Sequence, residues 1–225
     1  VVSVMRLASK KVLVHDMKCI ETLARVNVLC VDKTGTITEN TMEVNGEIPM
    51  DGYDSQSMAP LKQIISDFAS AMSSDNITMK AMKDYFNKPS GRKAVSVSPF
   101  SSQFKYSGAA FEDGSYVLGA PEFVLREDYD NYREQIEQYS SEGYRVLVFG
   151  IYDGVIDGKA LTGKVTPLGL VFLSNPIRKE APETFKYFEN QGVEIKVISG
   201  DNPVTVSQVA LQAGIANADN YIDAS

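Results

Sequence analysis

Val28-Leu29-Cys30-Val31-Asp32-Lys33-Thr34-Gly35-Thr36-Ile37-Thr38 is the stretch around which the rest of the chain is organised. A run of strand-forming apolar residues meets an acidic residue, and a Gly/Thr turn follows at once. The pattern predicts a buried strand that includes Cys30 and carries Asp32 at its carboxyl end, where the ligand crevices of open α/β sheets lie. A carboxylate in that place either caps a turn or meets a phosphate, and Asp32 alone leaves both readings open. Phosphoryl transfer would ask for a cation, a turn of backbone N–H groups and a lysine or arginine nearby. Gly35 lets the backbone approach closely, and Thr34 and Thr36 add hydroxyl donors.

Composition narrows the class. The 225 residues suffice for one or two domains, with an ordinary 44% hydrophobic and 23% charged content. A net charge of −7 and a pI near 4.9 argue against a nucleic-acid surface, which needs a basic face. Two cysteines, Cys19 and Cys30, argue against a disulfide framework and for a reducing compartment. No apolar run approaches the roughly twenty residues of a membrane helix, and Arg6, Lys10 and Lys11 break any signal-peptide pattern. His15 has no second histidine or cysteine pair at ligand spacing and reads as structural. A Walker-type loop is absent, which excludes a P-loop ATPase.

Along the chain, residues 1–25 read as a connector and short helix, and 45–57 as a loop that marks a domain boundary. Met58, Leu61, Ile64, Ile65, Phe68 and Met72 recur at helical spacing behind Ser57 as cap, and a second helix is predicted over 77–86. Strands are predicted over 94–98, 104–107 and 116–118 as an antiparallel meander, then a helix over 128–140 and a strand over 145–152. The final rhythm is βαβα: strand 168–173, helix 180–190, strand 194–198, helix 203–213, with Asn202 and Pro203 at the last helix start and Gly214 at its stop. This predicts a parallel doubly wound sheet that begins with Asp32, is interrupted by an insertion and resumes near residue 167.

The residues Asp32 to Thr38 closely resemble the phosphorylation signature of P-type ATPases, ion pumps built on a haloacid-dehalogenase-like phosphotransfer domain. Further matches follow in order. Met17 to Leu23 resembles that family's approach to the signature. Pro99-Phe100-Ser101 with Lys105, Leu118-Gly119-Ala120-Pro121-Glu122 and Gly143-Tyr144-Arg145 resemble its nucleotide-domain segments. Asn175-Pro176-Ile177-Arg178 resembles its Asp-Pro-Pro-Arg hinge, and Ser199-Gly200-Asp201 its Thr-Gly-Asp motif. The fold that the resemblance implies is α/β: a partial haloacid-dehalogenase-like, Rossmann-like parallel-sheet domain (residues 1–42 and 167–225) with an inserted α+β nucleotide-binding domain (43–166) containing an antiparallel sheet.

It also implies a chemistry. Asp32 would accept the γ-phosphoryl group of ATP, with Lys33, Thr34, Thr36, Ser199, Gly200 and Asp201 around it and Mg²⁺ held at Asp32 and Thr34. Phe100, Lys105, Gly119, Arg145 and Arg178 would contact the nucleotide. Soluble phosphatases of the superfamily carry a second Asp where Thr34 stands, and an acid–base group is worth roughly 10² to 10⁴-fold. Its replacement suits a long-lived aspartyl phosphate and disfavours a soluble phosphatase with a large cap, the second reading. A nucleotide-binding module without catalysis is the third. Leu118 replaces the family's Lys, a loss of about 1 kcal/mol or less, or roughly fivefold in affinity. Met79 stands where the family often has an acidic residue near adenine. An insertion without histidine fits bacterial calcium-type pumps better than heavy-metal pumps.

On this reading the 225 residues are a soluble piece of a cation pump from the cytoplasmic face of the cell membrane. Its partners would be the pump's transmembrane, actuator and remaining phosphorylation-domain segments, and no nucleic acid. Alone it is expected to bind ATP weakly, to phosphorylate poorly and to self-associate through an unpaired sheet edge.

Overall fold

The computed structural model describes residues 2–16, 18–201 and 203–222, so the Met17 end of the match before β1 and the Asn202 cap lie outside the described residues. Two helices, Val2–Ser9 (α1) and Lys18–Leu23 (α2), precede the strand Val28–Asp32 (β1) and a turn over Lys33–Ile37. The strand Glu43–Pro49 (β2) leads into the helices Leu61–Ala71 (α3) and Ile77–Tyr85 (α4). Next come the strands Ser96–Ser98 (β3), Tyr106–Phe111 (β4) and Gly114–Gly119 (β5), and the helices Pro121–Leu125 (α5) and Tyr129–Ser141 (α6). The chain closes with Arg145–Tyr152 (β6), Val165–Ser174 (β7), Ala181–Asn190 (α7), Glu194–Ile198 (β8) and Pro203–Gln212 (α8).

These strands form two sheets. β1 and β8 pair in parallel, and six strands pair antiparallel in the order β2-β7-β6-β5-β4-β3. One face of the large sheet buries Leu118, Tyr116 and Phe149 against the apolar stripe of α3 and α4, where Ile65, Phe68 and Met82 are fully enclosed. Its other face buries Tyr106, Val148 and Leu170 against Val124 and Ile136 of α5 and α6. A third core holds Ile37, Phe185, Ile195 and Val209, joining the parallel pair to α7 and α8. An inserted α+β domain with an antiparallel sheet beside a small parallel sheet is the predicted fold class.

Four local expectations are corrected. Residues 168–173 lie in β7, between β2 and β6 of the antiparallel sheet, not in the parallel sheet, so the chain returns to the parallel pair after Ser174 rather than at residue 167. Residues 45–49, expected as loop, belong to β2, whose pairing with β7 shifts between Val44 and Gly46, leaving Asn45 as the extra residue of a bulge while Gly46 pairs with Phe172. α3 starts at Leu61 because Pro60 disfavours helical backbone at Ala59; the Ser57 hydroxyl donates instead to Asp54 at 2.6 Å. Cys30 is exposed, since β1 alternates between half-buried and exposed residues in a two-stranded sheet.

The two sheets are strapped together where the chain crosses twice. Thr38 bridges Ile177, Glu39 N–H donates to Pro176 at 2.7 Å, and Asn175 Nδ2 donates to the Thr41 carbonyl at 2.7 Å. Asn175, which stands where the resembling hinge carries an acid, thus works through its amide. A second contact joins the domains further out, where Thr205 Oγ1 donates to the Ser140 carbonyl at 3.4 Å and an added Cβ on Gly143 would lie 3.2 Å from Gln208 Cβ.

One charge is deeply buried in the insertion. Asp67 of α3 is 2% exposed and accepts from Ser90 N–H at 2.6 Å, Ser90 Oγ at 2.8 Å and Arg92 Nε at 3.1 Å. Arg92 also pairs with Asp113 and lies over the Phe111 ring at 4.7 Å, so α3 is tied to the β4–β5 hairpin. Removing one member of such a group strands the others. Asp67→Ala should cost about 3 kcal/mol in urea unfolding, and Asp67→Asn, which keeps an acceptor oxygen, clearly less. Equal urea midpoints for Asp67→Ala and the unaltered chain would show that the network contributes nothing.

Candidate active site

Parallel pairing sets the first cluster. The register Asp32↔Ile198 makes Asp32 and the Ser199-Gly200-Asp201 turn leave the sheet side by side at its carboxyl end. Asp32 is exposed, with extended backbone and no side-chain hydrogen bond to the turn that follows, so it does not serve as a cap. Lys33 turns inward instead: its side chain is 7% exposed and its Nζ meets Asp201 at 2.5 Å. Asp201 N–H in turn binds Ser199 Oγ at 3.2 Å.

The turn after Asp32 is shaped by Gly35, whose φ of +78° lies in the left-handed region that favours glycine. Thr38 closes it, donating from its N–H to the Lys33 carbonyl at 3.1 Å and from its hydroxyl at 3.3 Å. Arg178, expected at the nucleotide, belongs to this cluster. Its guanidinium donates to the Gly35 carbonyl at 2.9 Å, lies 3.7 Å from Glu39, and its N–H binds the Ile37 carbonyl at 3.0 Å. Thr34 and Thr36 are exposed on the same turn. Residues from three separated stretches therefore converge on Asp32.

The second cluster sits on the large sheet. β4 and β6 begin, and β5 and β7 end, at the same edge, where the chain also crosses to Asp32. Phe100, Lys105, Gly119 and Arg145 all lie at that end. Lys105 adopts φ +55°, held by its N–H to the Ser101 carbonyl at 2.7 Å and its carbonyl from Ala120 N–H at 3.0 Å. Gly119 makes this possible, since a Cβ there would stand 2.4 Å from the Lys105 carbonyl oxygen. Arg145 is exposed at the start of β6, three residues from the Val148 that pairs with Gly119.

Phe100 is 45% exposed, so it is no core residue. With Pro99 it forms a wall of a cleft of about 240 Å³, completed by Met72, Ser73, Asp75, Asn76, Met79 and Ser107. Leu118 lies 3% exposed beneath, paired across the strands with Ser107, which explains how an apolar residue is accommodated there. Asp75, Asn76 and Ser107 escape a reading of sequence: Asn76 is the cap of α4, Ser107 is a buried residue of β4, and Asp75 is an exposed residue before that cap. A larger hollow of about 760 Å³ runs along β8 and α8 and reaches Ser199 and Asp201 but not Asp32.

Among the described residues no group of three His, Cys, Asp or Glu side chains could hold a metal by itself. Mg²⁺ does not require one: it keeps several waters and binds through one or two carboxylates and substrate phosphates. Exposed Asp32 with the oxygen-bearing Thr34 beside it fits that donor set. No helix among the described residues is long and apolar enough to cross a membrane.

Comparison with known proteins places these features. Residues 26–225 match the family described as haloacid dehalogenase-like hydrolase. A calcium-transporting ATPase, CtpE, of Mycolicibacterium smegmatis is 39% identical over 215 residues, covering 95% of this chain and 26% of that protein. A "probable cation-transporting ATPase exp7" of Streptococcus pneumoniae is 37% identical over 227 residues, covering 99% of this chain and 28% of that protein. The chain thus spans about a quarter of the length of these relatives. A zinc-transporting PIB-type ATPase, solved in its E2.Pi state, superimposes with a TM-score of 0.57 at 19% identity over 87% of this chain and 29% of its own, a likeness of fold.

Gly119→Ala tests the second cluster. Overpacking against the Lys105 carbonyl should cost about 2 kcal/mol in thermal or urea unfolding and disturb the Ser101–Lys105 loop in amide hydrogen exchange. Unchanged stability and protection would mean that the loop yields freely.

Proposed function

Since this chain belongs to the haloacid dehalogenase-like hydrolase family, we propose that it is the ATP-binding and phosphate-accepting part of a P-type cation pump, with Asp32 as the nucleophile. Calcium is the cargo named for the relative at 39% identity, and we extend it to the intact protein here. The observation that carries this reading is the convergence at Asp32: an uncapped carboxylate beside the Ser199–Asp201 turn, on a glycine-shaped loop with Thr34 two residues on.

The mechanism follows from these residues. A carboxylate oxygen of Asp32 attacks the γ-phosphorus; its bond forms as the bond from phosphorus to the β–γ bridging oxygen breaks, and ADP leaves with the electron pair. Lys33 is pinned by Asp201, which fixes the turn on which Asp32 stands, and Arg178 braces Gly35 from the returning chain. Backbone and hydroxyl donors of Thr34, Gly35, Thr36, Ser199 and Gly200 surround the place where charge accumulates. Asp32 and Thr34 would hold Mg²⁺, which supplies charge neutralisation when bound. Thr34 cannot activate water as a carboxylate would, so the aspartyl phosphate persists.

The insertion, residues 43–174, delivers the nucleotide: Phe100 as base platform, Lys105 and Arg145 toward the phosphates, and Gly119 as the support of Lys105. The strap at residues 38–41 and 175–178 is the joint on which the domains close. The remaining segments of the pump are its partners, and this part faces the cytoplasm.

Incubating the intact transporter with γ-labelled ATP and Mg²⁺ should give an acid-stable label that hydroxylamine removes. Asp32→Asn should abolish it, and Thr34→Asp should speed its loss on the order of 10²-fold. Label that survives in Asp32→Asn would sink the assignment. Efficient hydrolysis of a chromogenic phosphomonoester without any label would favour a soluble phosphatase.

A further inference from the structure

We propose that α8 is a stop for the turn between α6 and β6, and that the approach of Gly143 to Gln208 is the positioning contact that sets the angle at which Arg145 meets the Asp32 turn. The inference rests on the phosphoryl-transfer reading and goes beyond it by naming what fixes the alignment of the two domains. The strap at residues 38–41 and 175–178 joins them at one place, and a single joint leaves the insertion free to rotate about it. A second contact away from the joint removes that freedom. Such a contact exists where the end of α6 meets α8: a Cβ on Gly143 would lie 3.2 Å from Gln208 Cβ and 3.9 Å from Gln212 Nε2.

Both sides of the contact are rigid. Gly143 has φ +96°, its N–H donates to the Ser140 carbonyl at 3.0 Å, and the Tyr144 N–H donates to the Tyr139 carbonyl at 3.3 Å, a helix stop that a side chain at position 143 would strain. Tyr139 and Tyr144 then flank Phe172 of β7, with ring centroids 4.0 and 6.1 Å away, which anchors the turn to the large sheet. Arg145 follows directly as the first residue of β6. On the other side α8 starts at Pro203, close behind Asp201, and its Val209 and Ala210 pack in the same core as Ile37 of the Asp32 turn. Gln208 stands roughly 7 Å along the helix axis from Pro203. α8 therefore spans a fixed distance from the acceptor turn to the turn that carries Arg145. Phe100, Lys105 and Arg145 all belong to the insertion, so nucleotide affinity does not depend on this contact. Attack by Asp32 does depend on it, since misplacing the reacting atoms by about 1 Å costs on the order of 10²-fold in rate.

Single-turnover labelling of the intact transporter with γ-labelled ATP and Mg²⁺ separates the two quantities, and its rate constant is independent of how much protein is folded. Gln208→Trp, which wedges the faces apart, should lower the maximal rate constant at least about tenfold and leave the ATP concentration for half-maximal rate within about twofold. Gln208→Met, of similar length, should keep both. A rate constant unmoved in Gln208→Trp, or a loss confined to the half-maximal ATP concentration, overturns the proposal while the phosphoryl-transfer reading stands. An unaltered transporter that takes no label overturns both. A second test needs no activity. In the chain carrying Cys19→Ser, Cys30→Ser, Gly143→Cys and Gln208→Cys, the two introduced thiols should join under oxidised glutathione, because the Cβ separation is close to the roughly 3.5 to 4.5 Å of a disulfide. Thiols that both react with a maleimide yet stay unjoined mean that the faces do not meet, and the proposal falls.

Discussion

Five rungs of parallel pairing between β1 and β8 carry the candidate chemistry. Without them Asp32 and Ser199 would be residues about 170 positions apart in an extended chain; with them, two turns emerge at one end of one sheet. The Lys33–Asp201 pair then fixes the first turn to the second. Because Lys33 is enclosed while Asp201 is half in water, the pair works as a positional pin more than as a store of stability. Asp32, proposed above as the nucleophile, has by contrast no ion pair among the described residues. Asp32 and Lys33 are neighbours with opposite fates, one outward to solvent and one inward to structure, and strand alternation at the end of β1 is what separates them.

The insertion solves a different problem. On the proposed function it has to present a base platform and cationic groups without lending the parallel sheet any strand. An antiparallel sheet with helices on both faces supplies a rigid support, and every residue read as nucleotide-facing lies at the edge nearest the crossing strap. Lys105 keeps a left-handed backbone that only a glycine at position 119 leaves room for, and such conformations persist where the surroundings over-determine them.

How much of this was legible in the chain depended on whether a local pattern had one physical meaning or several. β6 and β8 were read to the residue, because their runs are bounded by a glycine or charged residues on both sides. The end of α4 is legible from the turn cluster beyond Phe86, whereas its Asn76 cap emerges only in the structure. β7 was seen as a strand but given to the wrong sheet: a continuous apolar run looks the same in a buried parallel or antiparallel strand. β2 was lost because Gly46 and Pro49 are loop signals unless a bulge and an edge position absorb them. Of the site, the Asp32 turn and its Ser199–Asp201 neighbour were legible from strand-turn patterns. Arg178 was legible as a residue and not as a contact, since its bond to the Gly35 carbonyl depends on where the chain returns. Ser107 and Asp75 carried no local signal at all.

The strap where β2 leaves and β7 returns has a consequence for how the chain reaches its fold. β1 cannot pair with β8 until some 160 intervening residues have been brought back, and closing so long a loop has an entropic cost. The antiparallel sheet removes most of that cost when its edge strand β2 pairs with its neighbour β7, because these are the two ends of the insertion. Once they meet, the separation that β1 and β8 still have to bridge shrinks to the short segments on either side. The insertion therefore acts as an internal clamp in folding: assembled first, it turns the most distant pairing in the molecule into a nearly local one.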